Sequence, residues 1–486
     1  MKKKLLRWTA VMLLVLGTLI TLFYAVENWR GARAWKEMEA QLRAISEPLT
    51  IAELVPAPVP DDRNVAMAAI FQEAFAYDMA TKETISIQEM PPVPRIQQIN
   101  KVINELNSKP NVLPSYAYGR IASIPDFSVL EKFKDKNGAL LSEIRQALDR
   151  PQINWNHDYS LGFSLPTPHW GFIMGLGKYY QLEALDHMGR GRSDLALEDI
   201  RYIQRLSEIA KKDTFLIGNV VSMTVNSVNG NTIWAGLQRR AWNEKQISEL
   251  QDLATKKSDE FSDYQKGMRW ERITFLQATQ GNQVEFAESV TNLNELSSFS
   301  WESLLTKTYF FLRPKGWMDM DRGLYSGWIQ RSIELCGKFG KGLSGLEEFR
   351  KLDEEFLSKS GDVTQRLMTP MTFLAFPALS GVFKRSVETE NLNRMIQIAC
   401  SLERYRLATG KIPASLEVLV PKYLSALPLD IVNGEPLKFV GKNGEDYLIY
   451  SVGWNETDDG GYTSKDRNKG DWVWPSKPGL VEVRDK

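Results

Sequence analysis

From Trp8 to Val26 the chain carries no charged residue, and Leu, Val, Ile, Met and Phe dominate. A helix rises about 1.5 Å per residue, so this stretch nearly crosses a hydrocarbon core about 30 Å thick. Past it the pattern turns periodic. Ala32, Trp35, Met38, Leu42 and Ile45 recur at three- and four-residue steps, which predicts a continuing helix over 27–45 with one apolar face. The stripe is short for a coiled-coil zipper and suits a stalk packed against the rest of the protein. Pro48 stops it, and Pro56, Pro58 and Pro60 predict an extended spacer.

Helical spacing returns over 64–77, 96–106 and 137–148, with Pro-broken chain from 81 to 133 between them. The clearest block runs from Trp170 to Thr255, where 179–187 and 196–209 flank Gly189-Arg190-Gly191-Arg192. That hairpin resembles half a tetratricopeptide repeat, without a second copy at a fixed period. Antiparallel helices are predicted to continue over 215–237, 244–254 and 259–277, with Asn243 and Gln246 placed as a helix start. The aromatics Trp301, Tyr309, Phe310, Phe311, Trp317 and Tyr325 read as core first and membrane-surface contact second. Leu367–Phe383 is uncharged but short and contains Pro370 and Pro377, which favours a buried or interfacial segment over a second span. A last helix, 388–409, ends at Gly410, and two strands are predicted near 437–440 and 447–452.

Charge sharpens the topology. Lys2, Lys3, Lys4 and Arg7 precede the apolar run, and positive flanks stay cytoplasmic. A cleavable signal would need small residues before the cut, and cleavage after Ala25 would put Phe23 three residues before it. An uncleaved anchor is the expectation. Lys plus Arg and Asp plus Glu total 60 each, so no net field points to nucleic acid. The only cysteines, Cys336 and Cys400, form no metal or redox motif and are expected to be buried free thiols.

Candidate chemistry is sparse. His157, His169 and His187 lack helical ligand spacing, and packing or capping is expected of them before metal binding. Gly171–Tyr179 is out of register for a phosphate loop, as are the glycines from Gly337 to Gly342, and no G-x-S-x-G elbow occurs. No catalytic or cofactor-binding residue is assigned. Asn455, Asp458, Asp459, Asp466 and Asp471 crowd a loop with Gly460 and Gly461, an oxygen-rich composition that suits calcium.

Residues 388–486 resemble the globular part of the major pseudopilin of type II secretion. Tyr405, Gly410 and Pro413 match its helix-ending pattern, and Ser451, Gly453, Asn455, Gly460-Gly461 and Asp471 match its tail. The resemblance implies a calcium-binding loop, although Asn455 and Glu456 stand where that family has Asp and Gly. The long helix is not fused to the span, and no prepilin cleavage signature precedes the apolar run, so a polymerising subunit is not expected. The whole layout also resembles uncharacterised membrane-anchored bacterial proteins.

The expected fold is therefore mainly α: an N-terminal transmembrane helix, a body of antiparallel helices and a small pseudopilin-like α+β module. The expected boundaries are 1–26 for tip and anchor, 27–63 for stalk and linker, 64–387 for the body and 388–486 for the module. The expected role is a structural or interaction protein of the envelope, tied to a secretion or pilus-like assembly. It would be single-pass in the inner membrane through residues 8–26, with the N-terminus inside and envelope proteins as partners. The alternative is an extracytoplasmic enzyme or ligand-binding module with its site in loops of the helical body.

Overall fold

The computed structural model describes residues 2–82, 94–107, 127–256, 260–280, 308–339, 346–466 and 468–483. Much of the Pro-broken chain, 83–93 and 108–126, lies outside the described residues, as does Trp301. The molecule is mainly helical, with one long apolar N-terminal helix and a small antiparallel sheet.

Helix α1 (Lys2–Ala44) joins the apolar run and the stalk without a break. It is the one helix among the described residues that is long and apolar enough to cross a membrane, and its apolar window is unburied. Ser46 takes a positive φ and the Glu47 amide donates back to the Leu42 carbonyl at 2.9 Å, so the helix closes just before Pro48. Thr50 and Glu53 then build a capping box on the following turn.

Helices α2 (Ala69–Lys82), α3 (Gln98–Asn107) and α4 (Ser128–Leu148) flank the body. α4 starts earlier than its periodicity suggests because it bends at Asn137, where φ leaves the helical range. α5 (Pro168–Gly189), α6 (Ser193–Lys211) and α7 (Leu216–Gln238) fold back on one another through short turns. The first turn holds Gly191 at φ +70°, a conformation that costs glycine little. α8 (Glu244–Thr255) carries the predicted Asn243/Gln246 capping box, and α9 (Glu260–Ala278) follows.

α10 (Lys315–Phe339) runs parallel to the stalk half of α1. Gly316 meets Glu27 and Asn28, Gly323 meets Ala34, and Gly327 meets Met38. Gly31 and Gly316 face each other so closely that a Cβ on either would overlap the opposite backbone. Small residues let two helices approach in this way. The stalk is thus packed against the body, but only part of the predicted stripe does the packing. Leu42 is buried and Trp35 and Met38 are half-buried, whereas Ala32 and Ile45 are exposed and the closest approach runs through Glu27, Asn28, Gly31 and Ala34.

α11 (Leu346–Ser360) and α12 (Val363–Met368) lead into α13 (Pro370–Thr409). Thr369 provides no side-chain cap for α13; Asp321 of α10 does this from across the core, accepting from the Met371 and Thr372 amides at 3.1 and 2.9 Å. Met371, Phe376, Leu379 and Phe383 are buried while Leu367 and Leu374 are exposed, so the uncharged run 367–383 puts one face in the core. α13 is one helix across the 387/388 boundary, and Gly410 closes it in the left-handed conformation. Cys336 and Cys400 are buried thiols that form no disulfide, and Cys336 donates to the Phe261 carbonyl at 3.4 Å.

The sheet contains β1 (Lys438–Lys442), β2 (Asp446–Ser451) and β3 (Trp472–Pro475) in that spatial order, all antiparallel. Phe439 opposes Ile449 and Tyr450 opposes Val473. Alternation gives the sheet two buried faces: Tyr447, Ile449 and Trp474 join the core of the helical body, and Leu448, Tyr450 and Val473 pack under Leu480 and Val481. Trp234 of α7 donates to the Pro475 carbonyl at 2.6 Å, fastening β3 to the body. Asn391 of α13 donates to Asp430 at 2.8 Å and Ser451 at 3.1 Å, a buried network whose members satisfy one another.

Candidate functional site

Three separate segments bring His157, His169 and Asp213 together. His157 lies in the loop after α4, and that loop is held by Asn64. The Asn64 side chain accepts from the Asn154 amide at 2.9 Å and donates to its carbonyl at 2.7 Å. His169 follows Pro168 at the start of α5, where proline is favourable because its missing N–H needs no partner. Asp213 sits in the tight turn between α6 and α7. Gly218 makes room for it: a Cβ there would stand 2.6 Å from the Asp213 Cβ and 2.8 Å from the Ala210 carbonyl oxygen.

The donor atoms converge on the Asp213 carboxylate. His169 Nε2 lies 2.7 Å from Oδ2 and His157 Nε2 lies 3.5 Å from Oδ1. Trp170 Nε1 donates to Oδ2 at 2.6 Å. All three side chains are buried. Phe75 stacks on His169 with centroids 5.3 Å apart, and Trp155 covers it at 4.1 Å. Tyr159 and Phe215 pack against His157, and Trp270 stacks on Tyr159 at 4.7 Å. Burial pushes the His169 imidazole below its ordinary value despite the Asp213 bond. Burial acts upward on Asp213, but its contacts to His157 and His169 outweigh that and hold the carboxyl well below the ordinary range.

Chemically, the cluster offers two imidazole nitrogens and one carboxylate within 4.8 Å of one another, a spacing one cation can bridge. The sequence points to packing or capping for these histidines and does not single out Asp213. Its only local signal is a lone acid in an otherwise apolar interhelical turn, Asp-Thr-Phe-Leu-Ile.

His187 lies apart from this cluster. Its Nδ1 is 2.7 Å from Asp199 Oδ2, tying α5 to α6. Burial raises the Asp199 carboxyl even so. Nearby, buried Glu183 is neutralised by Lys134 at 2.8 Å and Arg145 at 3.2 Å, and the group reads as an ion network that locks α4 onto α5.

The tail residues are brought together only in part. Asn455 donates to Asp459 at 3.0 Å. Asp458 accepts from Tyr450 at 3.1 Å and from the Gly460 amide at 3.0 Å. Asp471 is buried and accepts from the Gly461 and Asp459 amides at 2.7 and 3.3 Å. Burial, with the charges of Asp459 and Asp458, pushes its carboxyl up to about 7. Asp466 is exposed and caps its own turn through Asn468. Among the described residues the tail acids do not set three ligand atoms within 4.8 Å of one another.

A third feature adjoins the anchor. A cavity of about 470 Å³ opens between α1, α10 and α12, lined by Met38, Leu324, Trp328 and Met368 together with the charged Arg30, Glu37 and Arg331. No family model, no curated protein and no solved structure matches the chain.

Proposed function

We propose that the protein is a membrane-anchored structural or interaction protein of the cell envelope, with residues 8–26 in the inner membrane and the body outside the cytoplasm. The observation that carries this reading is the seam between α1 and α10. The helix that would cross the membrane continues directly into the body, and glycine contacts bind the two rigidly. The Tyr24 hydroxyl donates to the Leu312 carbonyl, and Phe23 meets Trp317 edge-on at 6.2 Å, so the body begins at the end of the span. The groove beside α1 combines apolar side chains with charges of both signs, a composition that suits an amphipathic partner segment. The resemblance of 388–486 to a pseudopilin points to a secretion or pilus-like assembly as the source of that partner.

Two measurements test the proposal. Protease added to intact spheroplasts removes a C-terminal tag; protection of the tag until lysis overturns the orientation. A photo-crosslinking residue at Leu324, in the groove, gives a discrete protein adduct that the same probe at exposed Leu195 does not give. Equal or absent labelling at the two positions counts against a partner in the groove. The competing reading, an extracytoplasmic enzyme or ligand-binding module, draws on the meeting of His157, His169 and Asp213.

A further inference from the structure

We propose that His157 Nε2, His169 Nε2 and the Asp213 carboxylate bind one zinc-class divalent cation, which cross-links three segments of the helical body. The inference depends neither on the membrane orientation nor on a partner in the groove.

Spacing is the first argument. A tetrahedral ion with bonds of about 2.0–2.2 Å holds its ligand atoms a little over 3 Å apart. The 3.5 Å between His157 Nε2 and Asp213 Oδ1 already has that value. The 2.7 Å between His169 Nε2 and Oδ2 is hydrogen-bond length and opens by about half an ångström to admit the ion.

The second argument is an unmet nitrogen. His157 Nε2 is buried and lies 3.5 Å from the carboxylate, at the edge of hydrogen-bond reach, without a well-formed hydrogen bond. Buried polar atoms normally find one. An ion between the two groups would use this nitrogen.

Charge and rigidity complete the case. Among the described residues the ion-pairing partners of Asp213 are the two imidazoles, so a buried carboxylate faces no lysine or arginine. A divalent ion supplies the missing positive charge. Trp170 provides the outer bond that orients a ligating carboxylate, and the rings of Phe75, Trp155, Tyr159 and Phe215 fix both imidazoles. Two imidazoles and one carboxylate select zinc-like ions, whereas calcium and magnesium prefer shells built wholly of oxygen. Three protein groups leave one tetrahedral position, which the second carboxylate oxygen or a single enclosed water fills. The aromatic cover keeps the ion from bulk solvent, so that it acts as a brace between the three segments.

The test uses the full chain in detergent. After extensive dialysis in chelator-free buffer, elemental analysis finds about one zinc per chain. Stripping with a strong chelator lowers the melting temperature, and zinc restores it. Cobalt added to the stripped protein gives the visible absorption of a low-symmetry nitrogen–oxygen site. His157→Gln keeps an N–H that can reach Asp213 but removes the ligating nitrogen, so a purely hydrogen-bonded cluster would tolerate it. The proposal requires this variant, and Asp213→Asn, to lose the stoichiometric metal, while Asp471→Ala in the tail retains it. A folded parent that takes up neither zinc nor cobalt overturns the proposal. Undiminished metal in both His157→Gln and Asp213→Asn does so equally, and if either variant fails to fold, the parent's metal content and cobalt spectrum decide alone.

Discussion

The Glu47 carboxylate accepts a hydrogen bond from the Arg272 guanidinium, joining the residues just past α1 to the middle of α9. Arg269 adds a second guanidinium at 2.9 Å, and Gln330 of α10 accepts from Arg272 at the same distance. Arg272 is fully buried. One small cluster therefore fixes the direction in which the chain leaves the stalk.

Removing one partner of a buried pair leaves the other charge stranded, at a cost of about 3–5 kcal/mol. Glu47→Ala is expected to cost about that much by denaturant melt, and the Glu47→Met/Arg272→Met double variant is expected to recover much of it. The pH dependence has a definite sign. Burial pushes the Glu47 carboxyl upward, but the Arg269 and Arg272 bonds outweigh it and hold it below its ordinary 4.5. The folded state thus favours the ionised form. Its contribution is present above pH 4.5 and is lost as the pH falls through the depressed folded value. Glu47→Gln should flatten that part of the stability profile; an unchanged profile would remove Glu47 from the account.

Gly31 tests the seam. A Cβ at this position overlaps the Gly316 carbonyl oxygen, so the two helices must part along their contact. Overpacking of this kind costs about 1–3 kcal/mol, and a large side chain costs more. Gly31→Leu is expected to leave the protein in the membrane fraction while exposing the linker around Pro56–Pro60 to limited proteolysis. A cleavage pattern identical to the parent would show that the body does not depend on α10 lying along the stalk.

Much of this architecture is legible in the sequence. Helices α6 and α8 announce themselves because each has one buried stripe with a period near 3.6 residues, whereas α5 and α7 are buried on nearly every face and read as apolar runs. Gly410 and the Asn243 box mark ends by local chemistry alone. β3 escapes notice: Trp-Val-Trp-Pro is short, ends in proline and gains its partner only when Ser451 comes opposite Trp472. The His–His–Asp cluster is hidden for a related reason. Its members come from a loop, a helix start and an interhelical turn, and no periodic pattern links such positions. The Gly316, Gly323 and Gly327 spacing does carry the seam, since seven- and four-residue steps put all three on one helix face.

Gly218 is the positioning residue for that cluster. It allows the turn carrying Asp213 to lie against the first turn of α7, with Ala210 on the other side. Gly218→Ala is expected to cost about 1–3 kcal/mol, because neither Asp213 Cβ nor a backbone carbonyl can give way cheaply. If Gly218→Ala melts at the same temperature as the parent, the close approach at Gly218 is not what sets the turn.

The tail loop remains a proposed calcium site with a geometry that can now be argued. Asp458, Asp459 and Asp471 face a common turn: the Asp459 and Gly461 amides both reach Asp471, and Asn455 reaches Asp459. Calcium takes six to eight oxygens at about 2.3–2.6 Å and accepts backbone carbonyls, so the loop need not supply a ring of side chains. Asp471 is buried and already accepts an amide bond on each oxygen, and Asp466 accepts from Asn468, so each offers an ion only its remaining lone pairs. Weak binding is therefore expected, of the order of 10⁻⁴–10⁻³ M as in extracellular modules. Calorimetric titration of the full chain in detergent should give one saturable calcium event, lost in Asp459→Ala and Asp471→Ala and retained in Asp466→Ala. Absence of heat and of any melting shift at millimolar calcium would leave the loop a hydrogen-bonded turn. Binding that persists in the Asp471→Ala variant would move the ion away from these carboxylates.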